Sequence, residues 1–444
     1  MFESVLVANR GEIARRIMRT ARALGVRTVA VHSEVEREAL HVREADAAFE
    51  LGPAPAKDSY LRIDRILEAA LRTGAAAVHP GYGFLSEHED LAAAVLREGL
   101  AWVGPAPESI RALGNKYRAR ELMNAAGVPV NPGGLVESAD AAVALAARIG
   151  YPVMVKAAAG GGGIGMRIAA NAEVLRDACE RTRQQAERFF GDGTLILERY
   201  LGSARHVEVQ ILGLCDGTVA ALGERECSVQ RRYQKVLEET PSPAVDGTLR
   251  ARMLQAATDG ARRLGYRNAG TVECLVAQGE FVFLEVNARL QVEHPITELT
   301  TGIDIVAEQL RIAAGDAPGF DPRRIERRGH AIELRVYAED PVRFLPSPGR
   351  IAEWVEPAGE GVRVDSGYGP GDTVTPFYDP LLAKVCVHEA DRRDAIRRAA
   401  RAVADMRVGG IRTNLPFLAE ILRDPSFLDG QYDTRLVEHM RAAN

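Results

Sequence analysis

The sequence predicts an α/β (α+β) chain in which a parallel, doubly wound sheet is followed by antiparallel sheet. Three observations carry that reading. Residues 4–31 spell strand, helix, strand. Residues 135–200 pack short strand and helix patterns around a glycine run. From residue 205 onward apolar and polar residues alternate. Buried parallel strands read as short apolar runs, whereas alternation marks antiparallel strands with two unlike faces.

The elements follow in order. Residues 4–9 are a short apolar run, residues 11–24 put Ile13, Ile17, Ala21 and Leu24 on one side of a helix, Gly25 ends it, and residues 26–31 form a second strand,. The first turn, Ala8-Asn9-Arg10-Gly11-Glu12, has no G-x-G-x-x-G, so dinucleotide binding is disfavoured,. A unit over 60–86 ends in His79-Pro80-Gly81-Tyr82-Gly83-Phe84. That is a tight turn, or a loop aiming backbone N–H groups at a site beyond the strand's carboxyl end. A helix near 116–126 leads into Gly127-Val128-Pro129-Val130-Asn131-Pro132-Gly133-Gly134, the best linker candidate,. A helix near 138–149, a strand at 153–157, a glycine loop, a helix near 171–188 and a strand at 195–198 complete the compact piece. Residues 206–211 then alternate, as in antiparallel sheet with one wet or functional face. Further helices are expected near 247–264, 303–314, 391–407 and 432–441.

Composition limits the function. The 444 residues carry 56 basic and 61 acidic side chains, a net charge of −5. No global basic field draws nucleic acid or an anionic membrane, so any anion site is built locally. No stretch approaches the roughly 18 apolar residues of a membrane span. Glu3 stands where a signal peptide needs bases,. Cys179, Cys215, Cys227, Cys274 and Cys386 form no C-x-x-C pair, which fits reduced thiols and a cytoplasmic location,.

Four constellations carry chemistry. In Phe283 to Pro295 every odd position from 285 to 293 is polar (Glu285, Asn287, Arg289, Gln291, Glu293) and every even one from 284 to 292 is apolar. Read as a strand, one side packs while the other offers carboxylates, amides and a guanidinium, suited to a hard cation and an anion. The alternative is a surface strand with a polar face. Glu273, in Gly270-Thr271-Val272-Glu273, falls on the expected hairpin partner, with Ala277-Gln278-Gly279-Glu280 as the turn,. Glu273 and Glu285 then share a cation, or Glu273 pairs with a lysine. Third, Val153-Met154-Val155-Lys156 leads into a loop containing Gly160-Gly161-Gly162-Gly163, whose N–H groups suit phosphates although no Walker A pattern follows,. A flexible hairpin tip looks the same. Fourth, Gln230-Arg231-Arg232-Tyr233-Gln234-Lys235 is a basic cluster just before Glu238-Glu239, either solvated or a local anion site. Arg335 stands in a further alternating strand.

Together these segments resemble the biotin carboxylase family of the ATP-grasp superfamily, from Ala8-Asn9-Arg10-Gly11-Glu12-Ile13-Ala14 through His79 to Glu87, Arg205-His206-Val207-Glu208 and Asn287 to Pro295, to Gly409-Gly410-Ile411-Arg412-Thr413-Asn414. The resemblance implies a Rossmann-like domain over 1–114, an ATP-grasp domain over 115–330 with a mobile lid at 131–202, and a C-terminal mixed-sheet domain over 331–444. It implies ATP phosphate ligands at Lys116 and Lys156, with Gly162 and Gly163 in the lid. The adenine-side hinge falls to Glu198, Arg199, Tyr200 and Leu201, with His206 nearby and Gln230 and Tyr233 also on the ATP side. Glu273, Glu285 and Asn287 are the implied Mg²⁺ (or Mn²⁺) ligands. Lys235, Arg289, Gln291 and the Val292 backbone are the implied bicarbonate pocket, Glu293 the base, and Arg335 the stabiliser of the biotin enolate.

Ala159, Ile164 and Tyr233 depart from the family pattern, and Ile164→Arg is expected to lower the KM for ATP. Ala23 and Glu360 differ at positions tied to the family's homodimer contact. None of the methionines stands in an Ala-Met-Lys-Met motif. Biotin is therefore expected on a separate biotin carboxyl carrier protein, with carboxyltransferase subunits as further partners. The implied system is acetyl-CoA carboxylase, or a propionyl-, methylcrotonyl- or pyruvate-type carboxylase. A different ATP-grasp carboxylate ligase is the more distant alternative.

Overall fold

A computed structural model of the chain describes residues 1–158 and 166–442. Near the N-terminus five parallel strands lie in the order Ala47–Gly52, Arg27–Ser33, Ser4–Val7, Ala77–His79, Ala101–Trp102. Val5, Leu6 and Val7 in succession are apolar because both sides of this strand are covered. Leu6 packs with Val29, Val31 and Val78, while Val5 and Val7 pack with Ile13, Ile17 and Leu310. The strand order reverses between Ser4–Val7 and Ala77–His79, which opens a crevice at their carboxyl ends. Asn9 ties the two turns at that crevice, its Nδ2 donating to the carbonyls of Pro80 (2.8 Å) and Tyr82 (2.7 Å). Gly81 has φ +66°, and a Cβ there would stand 2.9 Å from Asn9 Nδ2, so the tie requires glycine,.

A second sheet is antiparallel and four-stranded, in the order Gly133–Val136, Leu195–Arg199, Val153–Ala157, Arg167–Ala169. Helices Ala139–Ile149 and Ala172–Phe190 pack on it, capped by the side chains of Ser138 and Asn171,. This piece has its own core, with Val136, Val153, Val155, Leu175, Leu195 and Leu197 fully or nearly fully buried.

The third sheet has eight strands: Glu280–Asn287, Asn268–Ala277, Arg205–Gly213, Val219–Arg231, Gln234–Thr240, His330–Tyr337, Leu381–Glu389, Val362–Ser366. Every pairing in it is antiparallel. It runs unbroken across residue 330, since Leu237 pairs with Leu334 and Glu238 with Glu333. The alternation at 206–211 does produce antiparallel strand, but its polar side is not wet. Glu208 and Gln210 are fully buried, and Glu208 is held there by ion pairs with Arg225 and Lys235.

Candidate active site

A cleft of about 1080 Å³ runs between the three sheets. Asn9–Ile13 and Tyr82–Phe84 line it from the parallel sheet, Met154, Lys156, Ile168 and Glu198–Leu201 from the four-stranded piece, and the long sheet supplies its floor. Of the described residues expected at the site, all line the cleft except Glu293, which lies just behind its wall with no exposure. Gly162, Gly163, Ala159 and Ile164 lie outside the described residues.

The hairpin forms as its turn chemistry dictates. Gln278 and Gly279 both have positive φ, +53° and +76°, as a two-residue turn requires,. The register sets Glu273 directly opposite Glu285. The polar stripe, however, is not one strand. The strand stops at Asn287, residues 288–293 turn, and helix His294–Thr301 begins with Pro295 in its first turn. Proline fits there because the first turn of a helix leaves its N–H groups without partners in any case. The alternation outlasts the strand because Leu290 still plugs into the apolar core at 0 % exposure while its neighbours fold back over the hairpin.

Those neighbours converge regardless. Arg289 donates to Asn287 Oδ1, Gln291 Oε1 and Glu87 Oε2, each at 3.0 Å. Asn287 and Gln291 each donate an amide N–H to Glu273 Oε1, at 2.8 and 3.0 Å. Glu273 Oε2 lies 2.9 Å from His206 Nε2, and Gln230 contacts the other ring nitrogen at 2.7 Å. His206 is buried, which disfavours its charged form, yet Glu273 outweighs burial and raises its pKa,.

Lys235 is the hub. Its Nζ stands 2.6 Å from Glu208, 2.9 Å from Glu273 and 2.6 Å from Glu293. The basic cluster at 230–235 is split: Arg232 and Tyr233 are exposed at the cleft, while the Lys235 ammonium is turned onto carboxylates. The Glu273 pairing with a lysine also holds, alongside its place opposite Glu285. Arg225, fully buried, takes the other side of Glu208 at 2.6 Å and donates to Gln210 and Thr297. Arg335 Nη2 lies 2.9 Å from Glu293 Oε2 and 2.5 Å from Glu238 Oε1. Burial pushes the Glu293 pKa up, but Lys235, Arg335 and Arg225 together hold it well below the usual carboxylate range. Val292, between Gln291 and Glu293, accepts at its carbonyl from the buried Lys384 at 2.9 Å.

On the opposite side Lys116 pairs with Glu285, and Lys156 with Glu198. Arg199, Tyr200, Leu201 and Tyr233 line the mouth, with Met154, Ile168 and Leu275 as apolar walls. Tyr233 sits at φ +68° on the turn after Val219–Arg231 and is more than half exposed. Glu273, Glu285 and Asn287 supply two carboxylates and an amide within one hairpin, a hard oxygen set that fits Mg²⁺ or Mn²⁺,.

Sequence reasoning did not single out Glu87, Tyr82, Glu208, Arg225 or Glu238 as individual site residues. Glu208 carried a signal, as a carboxylate inside an apolar alternating strand. Arg225 carried none, since a charged residue in a long strand usually faces water. All five cysteines are free. Among the described residues no helix is long and apolar enough to cross a membrane.

Three family models match in sequence order. They are the biotin carboxylase N-terminal domain (residues 1–110), the carbamoyl-phosphate synthase L chain ATP-binding domain (115–317) and the biotin carboxylase C-terminal domain (333–439). A biotin carboxylase of Halalkalibacterium halodurans is 50% identical over 440 residues, covering 98% of this chain and 97% of its own. A pyruvate carboxylase subunit of Methanothermobacter thermautotrophicus is 48% identical over 445 residues, covering 99% and 90%. The biotin carboxylase domain dimer of Hydrogenobacter thermophilus 2-oxoglutarate carboxylase, solved with MgADP, ADP and bicarbonate, superposes with a TM-score of 0.96 at 42% identity, covering 99% of this chain and 98% of that one.

Proposed function

This chain belongs to the biotin carboxylase family and is a ligase, and from that premise we propose that it uses ATP and bicarbonate to carboxylate biotin carried on a separate carrier protein, in the cytoplasm, as the first half-reaction of acetyl-CoA carboxylase. The observation that supports this most directly is Glu293, buried between Lys235 and Arg335 and adjoining Gln291 and Val292 at the cleft wall.

The residues divide the work. Lys116 and Lys156 bind ATP phosphates. Glu198, Arg199, Tyr200 and Leu201, with His206, Gln230 and Tyr233, take the adenine and ribose side. Glu273, Glu285 and Asn287 hold Mg²⁺ or Mn²⁺. When bound, the metal offsets charge on the phosphoryl oxygens. The Arg289 fork, the Gln291 amide and the Val292 backbone orient bicarbonate, and Lys235 supplies positive charge beside it.

Glu293 accepts the bicarbonate proton. Clamped by two cations it is a poor base, so it acts once the substrate oxygens draw Lys235 and Arg335 off it. Bicarbonate oxygen then attacks the γ-phosphorus, expelling ADP and giving carboxyphosphate. This breaks down to CO2 and phosphate, the phosphate takes the biotin N1′ proton, Arg335 stabilises the enolate oxygen, and N1′ captures CO2.

ATP hydrolysis measured with Mg²⁺ and bicarbonate, with and without free biotin, tests the reading. The expected result is bicarbonate-dependent turnover that biotin stimulates; turnover indifferent to bicarbonate would sink it. Acetyl-CoA as final acceptor, leading to malonyl-CoA and fatty acid synthesis, is favoured by the full-length match to a relative named simply biotin carboxylase. A pyruvate-type carboxylase is the second reading, favoured by the match to the pyruvate carboxylase relative. Reconstitution with the carrier and carboxyltransferase subunits, offering acetyl-CoA, propionyl-CoA or pyruvate, decides by which acceptor takes up labelled bicarbonate carbon. A homodimer is part of the proposal, supported by the dimeric relative. Ala23 and Glu360, where the family pattern differs, are both exposed.

A further inference from the structure

Glu238 has no place in the roles above, yet it is the second anchor of Arg335. It sits on strand Gln234–Thr240 with 0 % exposure and does not line the cleft. Its Oε1 lies 2.5 Å from Arg335 Nη2, the same nitrogen that contacts Glu293 at 2.9 Å. Neither Glu238 oxygen has a well-formed hydrogen bond among the described residues. Directly across the strand pair stands another buried carboxyl, Glu333, rather than a cation. Burial therefore dominates, and the Glu238 pKa rises to about 7 even with Arg335 beside it. A residue so poorly solvated adds little to stability and is better explained by what it does to its partner.

That partner has a conflict to resolve. Glu293 lies behind the cleft wall, covered by Lys235 and Arg335. For Glu293 to take a proton, the shared Arg335 nitrogen must leave it while the guanidinium stays at the cleft. We propose that Glu238 is a positioning residue that holds Arg335 by this nitrogen, giving it an anchor other than Glu293 and so freeing Glu293 to act as base while Arg335 faces biotin. Without Glu238 the nitrogen belongs to Glu293 alone, which weakens the base and turns the guanidinium from its task. The inference rests on the biotin carboxylase reading and deepens it.

The test compares Glu238→Gln with the unmodified enzyme, measuring bicarbonate-dependent ATP hydrolysis with and without free biotin, the KM for ATP and the melting temperature. Biotin-stimulated turnover is expected to fall by about tenfold or more. The KM for ATP should stay within about twofold and the melting temperature should not fall, because a poorly solvated buried charge has been removed. In an Arg335→Ala background the same change should cost nothing further in residual bicarbonate-dependent hydrolysis, since its effect runs through Arg335.

Full turnover in Glu238→Gln overturns the proposal. So does a loss of equal size in the Arg335→Ala background, or a loss that merely tracks a lowered melting temperature, as a structural role would give. If Glu238→Gln does not fold, Glu238→Asp is read in the same way, and retained full turnover there overturns the proposal. An unmodified enzyme without biotin-stimulated hydrolysis would instead indict the functional reading.

Discussion

Glu273 and Glu285 stand directly opposite each other on the hairpin, and each is neutralised by a different lysine, Lys235 for the first and Lys116 for the second. Two carboxylates so placed repel unless cations intervene. Here an ammonium group supplies such a cation for each carboxylate. On the proposed function, a divalent ion binding between the two carboxylates would take over this balance and release both lysines.

Glu285→Gln frees Lys116 and, on the proposed metal set, removes one hard ligand. Turnover should fall by roughly a hundredfold at low Mg²⁺ and recover in part as Mg²⁺ is raised, because the remaining donors bind the ion more weakly. A Mg²⁺ titration of ATP hydrolysis checks this; an unchanged Mg²⁺ dependence would remove Glu285 from the metal set.

Glu293→Gln keeps the shape and deletes the proposed base. Bicarbonate-dependent turnover should drop by about a hundredfold or more. ATP binding, followed by equilibrium titration, should be largely intact, since Glu293 does not line the cleft. Persistent turnover would assign the proton to another group.

Lys235→Met should cost both activity and stability. It strips the shared cation from Glu208, Glu273 and Glu293 at once. Removing one partner from a buried ion pair costs about 3–5 kcal/mol. Thermal denaturation should show a clear loss at pH 7 that narrows as acid protonates the orphaned carboxylates. A melting temperature equal to that of the parent at pH 7 would contradict this account.

Stability toward acid has a second source, far from the chemistry. Glu239 is fully buried and receives hydrogen bonds from Arg392 and Tyr432 while contacting His330 at 2.7 Å. Burial opposes its ionisation, but His330 and Arg392 prevail and lower its pKa from 4.5 to about 2. A carboxylate with a depressed folded pKa stabilises the fold above its unfolded pKa and loses that contribution as pH falls through the folded one. Glu239→Gln should therefore destabilise by on the order of 3 kcal/mol at pH 7. The gap between parent and variant in denaturant melts should shrink between pH 4.5 and pH 2; a gap constant across that range would refute the assignment.

Much of this site could be read before the fold was known, for an identifiable reason. Hairpin register follows from turn chemistry and alternation, so the meeting of Glu273 with Glu285 was available from local sequence. The turn after Asn287 was not. Leu290 keeps the alternation going although the strand has ended, because one apolar plug satisfies the core whether it hangs from a strand or a loop. Glu238 and Arg225 were hidden for a different reason. Their partners lie on other strands, and only the order of those strands reveals that each charge is buried rather than solvated.

Gln234–Thr240 and Asn268–Ala277 are separated in the long sheet by two other strands. In a flat sheet three strand steps would hold their backbones about 14 Å apart. Yet Lys235 reaches Glu273 at 2.9 Å and Glu208 at 2.6 Å. The two long side chains therefore span the strands between them, and the lysine acts as a tie-rod across the face of the sheet. One ammonium thus braces strands that share no backbone hydrogen bonds with its own, so neutralising the hub should loosen side chains along the cleft floor that no mutation has touched.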